Sequence, residues 1–218
     1  MRMRFEDQRI RLVNELKLEG ITSPVVLNAF AKVPREYYVL PEYRDYAYQN
    51  RPLPIKEGQT ISQPLMIAIM LQLLDLQPTD IVLEIGTGSG YQSALLAEIV
   101  KEVCTVERLE TLSLNAQKIL RNAGYNNIYF RIGDGYSGWQ KAYPPHKEFD
   151  KILVSAAARE VPKHLVEQLK TGGKMAIPIG KTGFQILYIV TKTEDGLDIA
   201  EAGGCSFVPL VCDDKTLR

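Results

Sequence analysis

The sequence predicts an α/β protein: a doubly wound, mostly parallel sheet with helices on both faces, preceded by a helical N-terminal extension. Two observations predict it. From Asp80 onward, short β-rich runs alternate with longer helical ones, the rhythm of strand–helix–strand crossovers. The first of those strands runs into a three-glycine turn, "VLEIGTGSGYQ" over 82–92, and ligands in open parallel sheets bind at such strand ends.

The elements follow in order. "FEDQRIRLVNELKLEG" carries apolar positions at Phe5, Ile10, Leu12, Val13 and Leu16 and stops at Gly20, as a helix does. Ser23 before Pro24 starts a second helix, which continues through "PVVLNAFAKV" to Pro34. The next stretch, "PREYYVLPEYRDYAYQNRPLPI", holds five of the eleven tyrosines. It is too irregular for a helix and too rich in proline for a central strand. It reads as an aromatic-anchored arm on the core, as a wall for a bound substrate, or as both. Ser62 stands at the N-cap position of an apolar helix expected from about Gln63 to Leu76.

Seven strands then follow, "IVLEI", "EVCTVE", "NIYFRI", "FDKILVS", "GKMAIPI", "QILYIVTK" and "CSFVPL". Helices fall in "YQSALLAEIV", "RLETLSLNAQKILRNAG" and "VPKHLVEQLKTGG". Between the last two strands "TEDGLDIAEAGG" supplies only turn signals, so the last strand is expected to pair antiparallel. The charged tail "DDKTLR" is expected to be disordered.

At 218 residues the chain suits a single domain, with residues 1–60 as the extension and 61–218 as the ligand-binding core. Twenty-six basic residues balance twenty-six acidic ones, so the basic excess of a phosphate-neutralising surface is missing and nucleic acid is not an expected partner. The N-terminus has no apolar signal-peptide core. The longest apolar run, "LMIAIMLQLL", falls short of the roughly 20 residues that span a bilayer, so no membrane association is expected. Cys104, Cys205 and Cys212 are odd in number and form no C-x-x-C pair, which fits a reducing, cytoplasmic setting. Cys104, inside "VCTV", reads as a buried small hydrophobe. His146 and His164 lack metal-ligand spacing and read as surface residues; no metal site is expected.

The glycine turn lacks the lysine of a P-loop. A dinucleotide fingerprint wants a small residue in a third slot that Tyr91 occupies here. The spacing is instead acid-x-G-x-G-x-G, from Glu84 through Gly86, Thr87, Gly88 and Gly90. Glu84 reads as a carboxylate beside the site that repels a pyrophosphate and suits a cation. The pattern therefore leans toward a sulfonium with an amino-acid tail, S-adenosylmethionine. Glu107, 21 residues beyond Gly86, is placed to accept from both ribose hydroxyls. Asp134, in "IGDGYSG", is placed to accept from the adenine amine, with Gly135 leaving room for the ring.

From about Val33 to Leu210 the chain resembles the protein-L-isoaspartate (D-aspartate) O-methyltransferase family. The stretches that carry the likeness include "RPLPIKEGQTISQP", "VLEIGTGSGYQSALLA", "TVER", "GDGYSGW", "SAAAREVP" and "FVPL". The resemblance implies a class I S-adenosylmethionine-dependent methyltransferase with a Rossmann-like sheet that leaves S-adenosylhomocysteine as product; a monomer is expected. Its substrates would be isoaspartyl-containing proteins and peptides, products of asparagine deamidation and aspartate isomerisation. The methylated α-carboxylate would cyclise to a succinimide that can open to normal aspartate. The resemblance makes Ser62 the active-site residue. It assigns the turn from Gly86 to Gly90, Glu107 with Arg108, and Asp134 with Gly135 to the cofactor. Thr60, Ile61, Ala157, Val208, Pro209 and Leu210 fall to the substrate cleft. Three features depart from the family pattern, all on the substrate side: Asn50 where aspartate often precedes "RPLPI", Arg159 where proline often follows "AAA", and "YYVLP".

The implied chemistry needs no general base, because a carboxylate with pKa near ~4 is already ionised at neutral pH. Ser62 is placed to donate to one carboxylate oxygen and aim the other at the methyl group. Its alternative role is the cap of the following helix, and the two are compatible. The other readings are a methyltransferase for a different peptide or small-molecule carboxylate, a non-catalytic binder of the same cofactor, a nucleic-acid methyltransferase and a dehydrogenase.

Overall fold

In the computed structural model of the chain, residues 4–212 are described. The tail 213–218, expected to be disordered, lies outside them. Two helices open the chain, α1 (Phe5–Leu18) and α2 (Pro24–Lys32). Ser23 occupies the N-cap of α2 as expected, but its side chain makes no capping bond. The Gln72 side chain serves this end instead, accepting from the backbone N–H of Thr22 and Ser23 at 2.7 and 2.9 Å.

The tyrosine-rich arm forms two 3₁₀ turns, Arg35–Tyr37 and Pro41–Tyr46. A minimal antiparallel ribbon follows, β1 (Leu53–Pro54) with β2 (Thr60–Ile61). Helix α3 spans Pro64–Leu73. It starts one residue later than the sequence suggests: Gln63 is the N-cap, and Pro64 pre-sets the first turn.

The sheet is built from β3 (Ile81–Ile85), β4 (Glu102–Glu107), β5 (Ile128–Ile132), β6 (Phe149–Val154), β7 (Leu169–Lys181), β8 (Phe184–Lys192) and β9 (Leu197–Cys205). Helices α4 (Tyr91–Ala97), α5 (Glu110–Asn122) and α6 (Lys163–Glu167) connect them. The spatial order is β5-β4-β3-β6-β7-β8-β9. The first five strands are parallel, and β8 runs antiparallel to both of its neighbours. After β3 the chain steps outward to β4 and β5, then returns to the far side of β3 as β6. The topological switch therefore lies at the carboxyl end of β3, which is where the glycine turn begins.

Side chains alternate between two cores. Val82, Val103 and Leu153 face the core shared with α2 to α5, while Leu83, Cys104, Ile152 and Val154 face the one closed by Leu165 and Trp139. Cys104 is fully buried, as its apolar surroundings imply. The first core also takes in Leu12, Leu16 and Phe30, so the N-terminal helices share a continuous hydrophobic cluster with the sheet.

Two elements differ from the sequence reading. Helix α6 is only five residues long, and "LKTGG" belongs to β7. The edge strand is Leu197–Cys205, most of which had read as turn. Most of its residues are exposed, so the apolar content that marks a buried strand is missing. The antiparallel pairing holds, but "CSFVPL" is not the strand: beyond Cys205 it turns back, and Pro209 bridges Ala157.

Candidate functional site

Gly86, Gly88 and Gly90 all adopt positive φ, at 96°, 53° and 86°, which side-chain-bearing residues rarely hold. The chain can therefore leave β3, reverse and open α4 within five residues. Gly90 acts differently from the other two. A Cβ there would stand 3.0 Å from Leu120 and 3.2 Å from Ala116, so this glycine lets α4 pack on α5 and does not face the cavity. Tyr91 points away from the turn into the core, its ring against Phe30 and Tyr38.

A cavity of about 370 Å³ opens over the turn. Gly86, Thr87 and Gly88 line it, together with Glu107, Arg108 and Gly135. Thr60, Ile61 and Ser62 line it as well, as do Val208, Pro209 and Leu210. Residues separated by up to 150 positions in sequence meet here because the strand ends and the arm converge on the switch point.

Glu107 is the best-organised polar group of the cavity. Its two carboxylate oxygens accept from the backbone N–H of Gly88 at 2.9 Å and of Leu109 at 3.0 Å. Each oxygen keeps a lone pair for a further donor, the pattern that a vicinal diol requires. Asp134 accepts from Tyr136 N at 2.8 Å and receives the Cys212 thiol at 3.7 Å. Its neighbour Gly135, not Asp134, lines the wall. A Cβ at Gly135 would come within 2.5 Å of Ile85 Cγ2, so glycine is required there for packing on β3 as well as for space.

Glu84 corrects the sequence reading. Its carboxylate is fully buried beneath the turn and does not line the cavity. It accepts from Gln92 Nε2 at 3.0 Å, from Thr105 Oγ1 at 2.7 Å and from the Ser93 hydroxyl. Burial pushes its pKa up to about 7 against the pull of those three donors. Glu84 thus braces the turn instead of meeting a cation: Thr105 also contacts Thr87 Oγ1 at 2.7 Å, and Gln92 reaches Ser155 Oγ at 2.6 Å.

Ala157 likewise stands off the main cavity. Its backbone exchanges hydrogen bonds of 2.8 Å with Val208 and Leu210, holding that segment in place. With Arg159 it lines an adjoining cavity of about 330 Å³. His146 is half-buried against Phe149, 3.0 Å from Glu102, and so is not simply a surface residue; His164 sits exposed near Glu167. No group of three metal-ligating side chains occurs among the described residues.

Two participants escaped the sequence reading, and a third, Asn50, which it had placed on the substrate side, caps a helix instead. Gln92 and Ser155 complete the brace under the turn. Asn50 Oδ1 accepts from Leu65 N at 3.0 Å and so caps α3 from fifteen residues upstream. In consequence Ser62 is not the cap: its hydroxyl has no hydrogen-bond partner among the described residues and lines the cavity. None of these contacts has a local sequence signal; each spans a turn or a crossover.

The residues present suit the cofactor that the turn implies: side-chain-free backbone at Gly86 and Gly88, a carboxylate oriented as a ribose would need, and apolar Leu109 and Leu112 in the lining. Fold and site together define a class I S-adenosylmethionine-dependent methyltransferase. The family model described as "Protein-L-isoaspartate(D-aspartate) O-methyltransferase (PCMT)" matches residues 7–215. A Petrotoga mobilis protein-L-isoaspartate O-methyltransferase is 53% identical over 96% of this chain and 98% of its own. One from Pyrococcus horikoshii is 49% identical over 92% and 91%. Among solved structures, a protein-L-isoaspartate O-methyltransferase superposes with a TM-score of 0.85 at 28% identity, covering 94% of this chain and 66% of that one. A Plasmodium falciparum relative, solved in complex with S-adenosyl-L-homocysteine, gives 0.80 at 28% identity, covering 92% and 97%. The chain belongs to the protein-L-isoaspartate(D-aspartate) O-methyltransferase family, and it is a carboxyl methyltransferase that uses S-adenosylmethionine.

Proposed function

We propose that the cavity over the glycine turn carries this activity, with Ser62 as the group that orients the substrate carboxylate. The enzyme methylates the α-carboxylate of L-isoaspartyl residues in damaged proteins and peptides and so starts their repair through a succinimide. When bound, S-adenosylmethionine supplies an electrophilic methyl group. The chain's own residues hold and aim. Glu107 takes the ribose and Gly135 flanks the adenine, while Asp134, off the wall, holds the Gly135 turn by accepting the Tyr136 N–H. Gly86, Thr87 and Gly88 lie along the amino-acid end, with Arg108 at the rim. Thr60, Ile61 and the Val208–Pro209–Leu210 segment border the peptide, and Ala157 fixes that segment.

The observation that carries the reading is the unengaged Ser62 hydroxyl on the cavity wall, relieved of helix capping by Asn50. Ser62 donates to one oxygen of a nucleophile that is already ionised, so no base is needed, and orientation with exclusion of water does the catalytic work. A hydrogen bond to a charged group contributes about 1.5–3 kcal/mol. Ser62→Ala is therefore expected to lower kcat by about ten-fold or more, with the affinity for S-adenosylhomocysteine unchanged. A variant that turns over at the wild-type rate contradicts the assignment.

We read residues 1–60 and 61–218 as one methyltransferase domain, supported by the hydrophobic cluster common to both. The even charge balance supports protein in place of nucleic acid as substrate, and three free cysteines support a reducing, cytoplasmic setting. Among the described residues no helix is long and apolar enough to cross a membrane. We infer a monomer, which light scattering in solution tests.

A further inference from the structure

The largest fully buried side chain is a charged one, Arg35, with no exposure at all. It opens the first 3₁₀ turn of the arm, and two contacts define its place. Its Nη2 donates to the backbone carbonyl of Ser62 at 3.0 Å. Its guanidinium carbon lies 4.9 Å from the centre of the Tyr91 ring, a cation–π distance. Tyr91 is the first residue of α4, directly after the glycine turn. One side chain therefore touches both the strand-to-helix loop that carries Ser62 and the helix that carries the cofactor turn.

This placement is energetically expensive. No carboxylate pairs with Arg35 among the described residues, and its Nε and Nη1 have no hydrogen-bond partner there. The adjacent carboxylate, Glu36, is engaged by the Tyr48 hydroxyl. Burial lowers the pKa of Arg35 to about 10, so it remains charged at neutral pH. A long apolar side chain would fill the same space at lower cost, because buried charges are commonly less stabilising than apolar residues of similar size. Stability alone does not account for an arginine here, whereas a directed donor to the Ser62 carbonyl does.

We propose that Arg35 is a positioning residue for methyl transfer, holding the Ser62 peptide against α4 and so setting the aim of the Ser62 hydroxyl at the substrate carboxylate. This rests on the reading of Ser62 given above.

A double-mutant cycle on the full chain tests both: Ser62→Ala, Arg35→Met and the double variant, assayed for kcat on an isoaspartyl peptide and for S-adenosylhomocysteine affinity, with Arg35→Lys as a fourth protein. Arg35→Met is expected to lower kcat about ten-fold while cofactor affinity stays within two-fold. Arg35→Lys, which keeps a donor, is expected to recover at least three-fold of that loss. The double variant is expected to be no slower than Ser62→Ala alone, because residues that act as a unit are non-additive. Arg35→Met at the wild-type rate, a full multiplicative loss in the double variant, or parallel loss of kcat and cofactor affinity with no recovery in lysine would overturn the inference. A silent Ser62→Ala with a slow Arg35→Met instead overturns the Ser62 reading, and with it the route by which Arg35 was proposed to act.

Discussion

Asn50 Oδ1 accepts the backbone N–H of Leu65 at 3.0 Å, and this one contact caps the start of α3 without the Ser62 hydroxyl. An N-cap normally supplies its own side-chain oxygen to the first turn. Here the acceptor comes from the arm, Gln63 holds the cap position without a side-chain bond, and Ser62 is left to the cavity.

Removing that acceptor has a defined cost. Asn50→Ala is expected to destabilise the protein by about 1 kcal/mol, which for a chain of this size lowers the melting temperature by roughly 2–4 °C. Asn50→Asp keeps an oxygen at the same place and is expected to melt near the wild type. Thermal unfolding of the three proteins side by side checks both. Equal melting of Ala and wild type would contradict the remote cap.

Glu107 offers a test of the cofactor side. Both of its oxygens are held by backbone N–H groups, and the residue lines the cavity. Glu107→Gln exchanges one acceptor oxygen for a donor, so the Gly88 or Leu109 amide loses its partner, and one of the ribose contacts proposed above goes with it. S-adenosylhomocysteine is expected to bind at least ten-fold more weakly by calorimetry, about 1.4 kcal/mol, while the KM for the peptide stays the same. Unaltered cofactor binding would remove Glu107 from the ribose site.

Glu84 links the turn to pH. Its folded pKa of about 7 lies above the ordinary 4.5, so the folded state holds the proton more tightly than the unfolded chain. The stability this gives is complete below about pH 4.5 and is lost as pH rises through 7. Glu84→Gln has no such proton to lose. Relative to wild type, the variant is expected to gain stability between pH 4.5 and pH 8 in denaturant titrations. A wild-type-to-variant difference that is constant with pH would show that Glu84 ionises normally.

What the sequence made legible follows from where the information is local. The glycine turn, the strand-end position of Glu107 and the alternation of strands and helices are all contained in short windows, and each has its expected place in the structure. Glu84 was misread because its distance from Gly86 is local while the direction of its side chain, down into the Thr105–Ser93–Gln92 brace, is set by the strand's pleat and by neighbours on other elements. The edge strand Leu197–Cys205 was missed because its residues face solvent, whereas "FVPL" resembled a strand because an apolar segment was needed beside the cavity. The contacts of Arg35 and Asn50 left no local trace, since each acts across at least fifteen residues of chain.

Methyl transfer from labelled S-adenosylmethionine to two short peptides, identical except for Asp or isoAsp at one position, tests the assignment most directly. Base-labile label on the isoAsp peptide alone is the predicted result. Label on both peptides, or on neither while S-adenosylhomocysteine still binds, would contradict it.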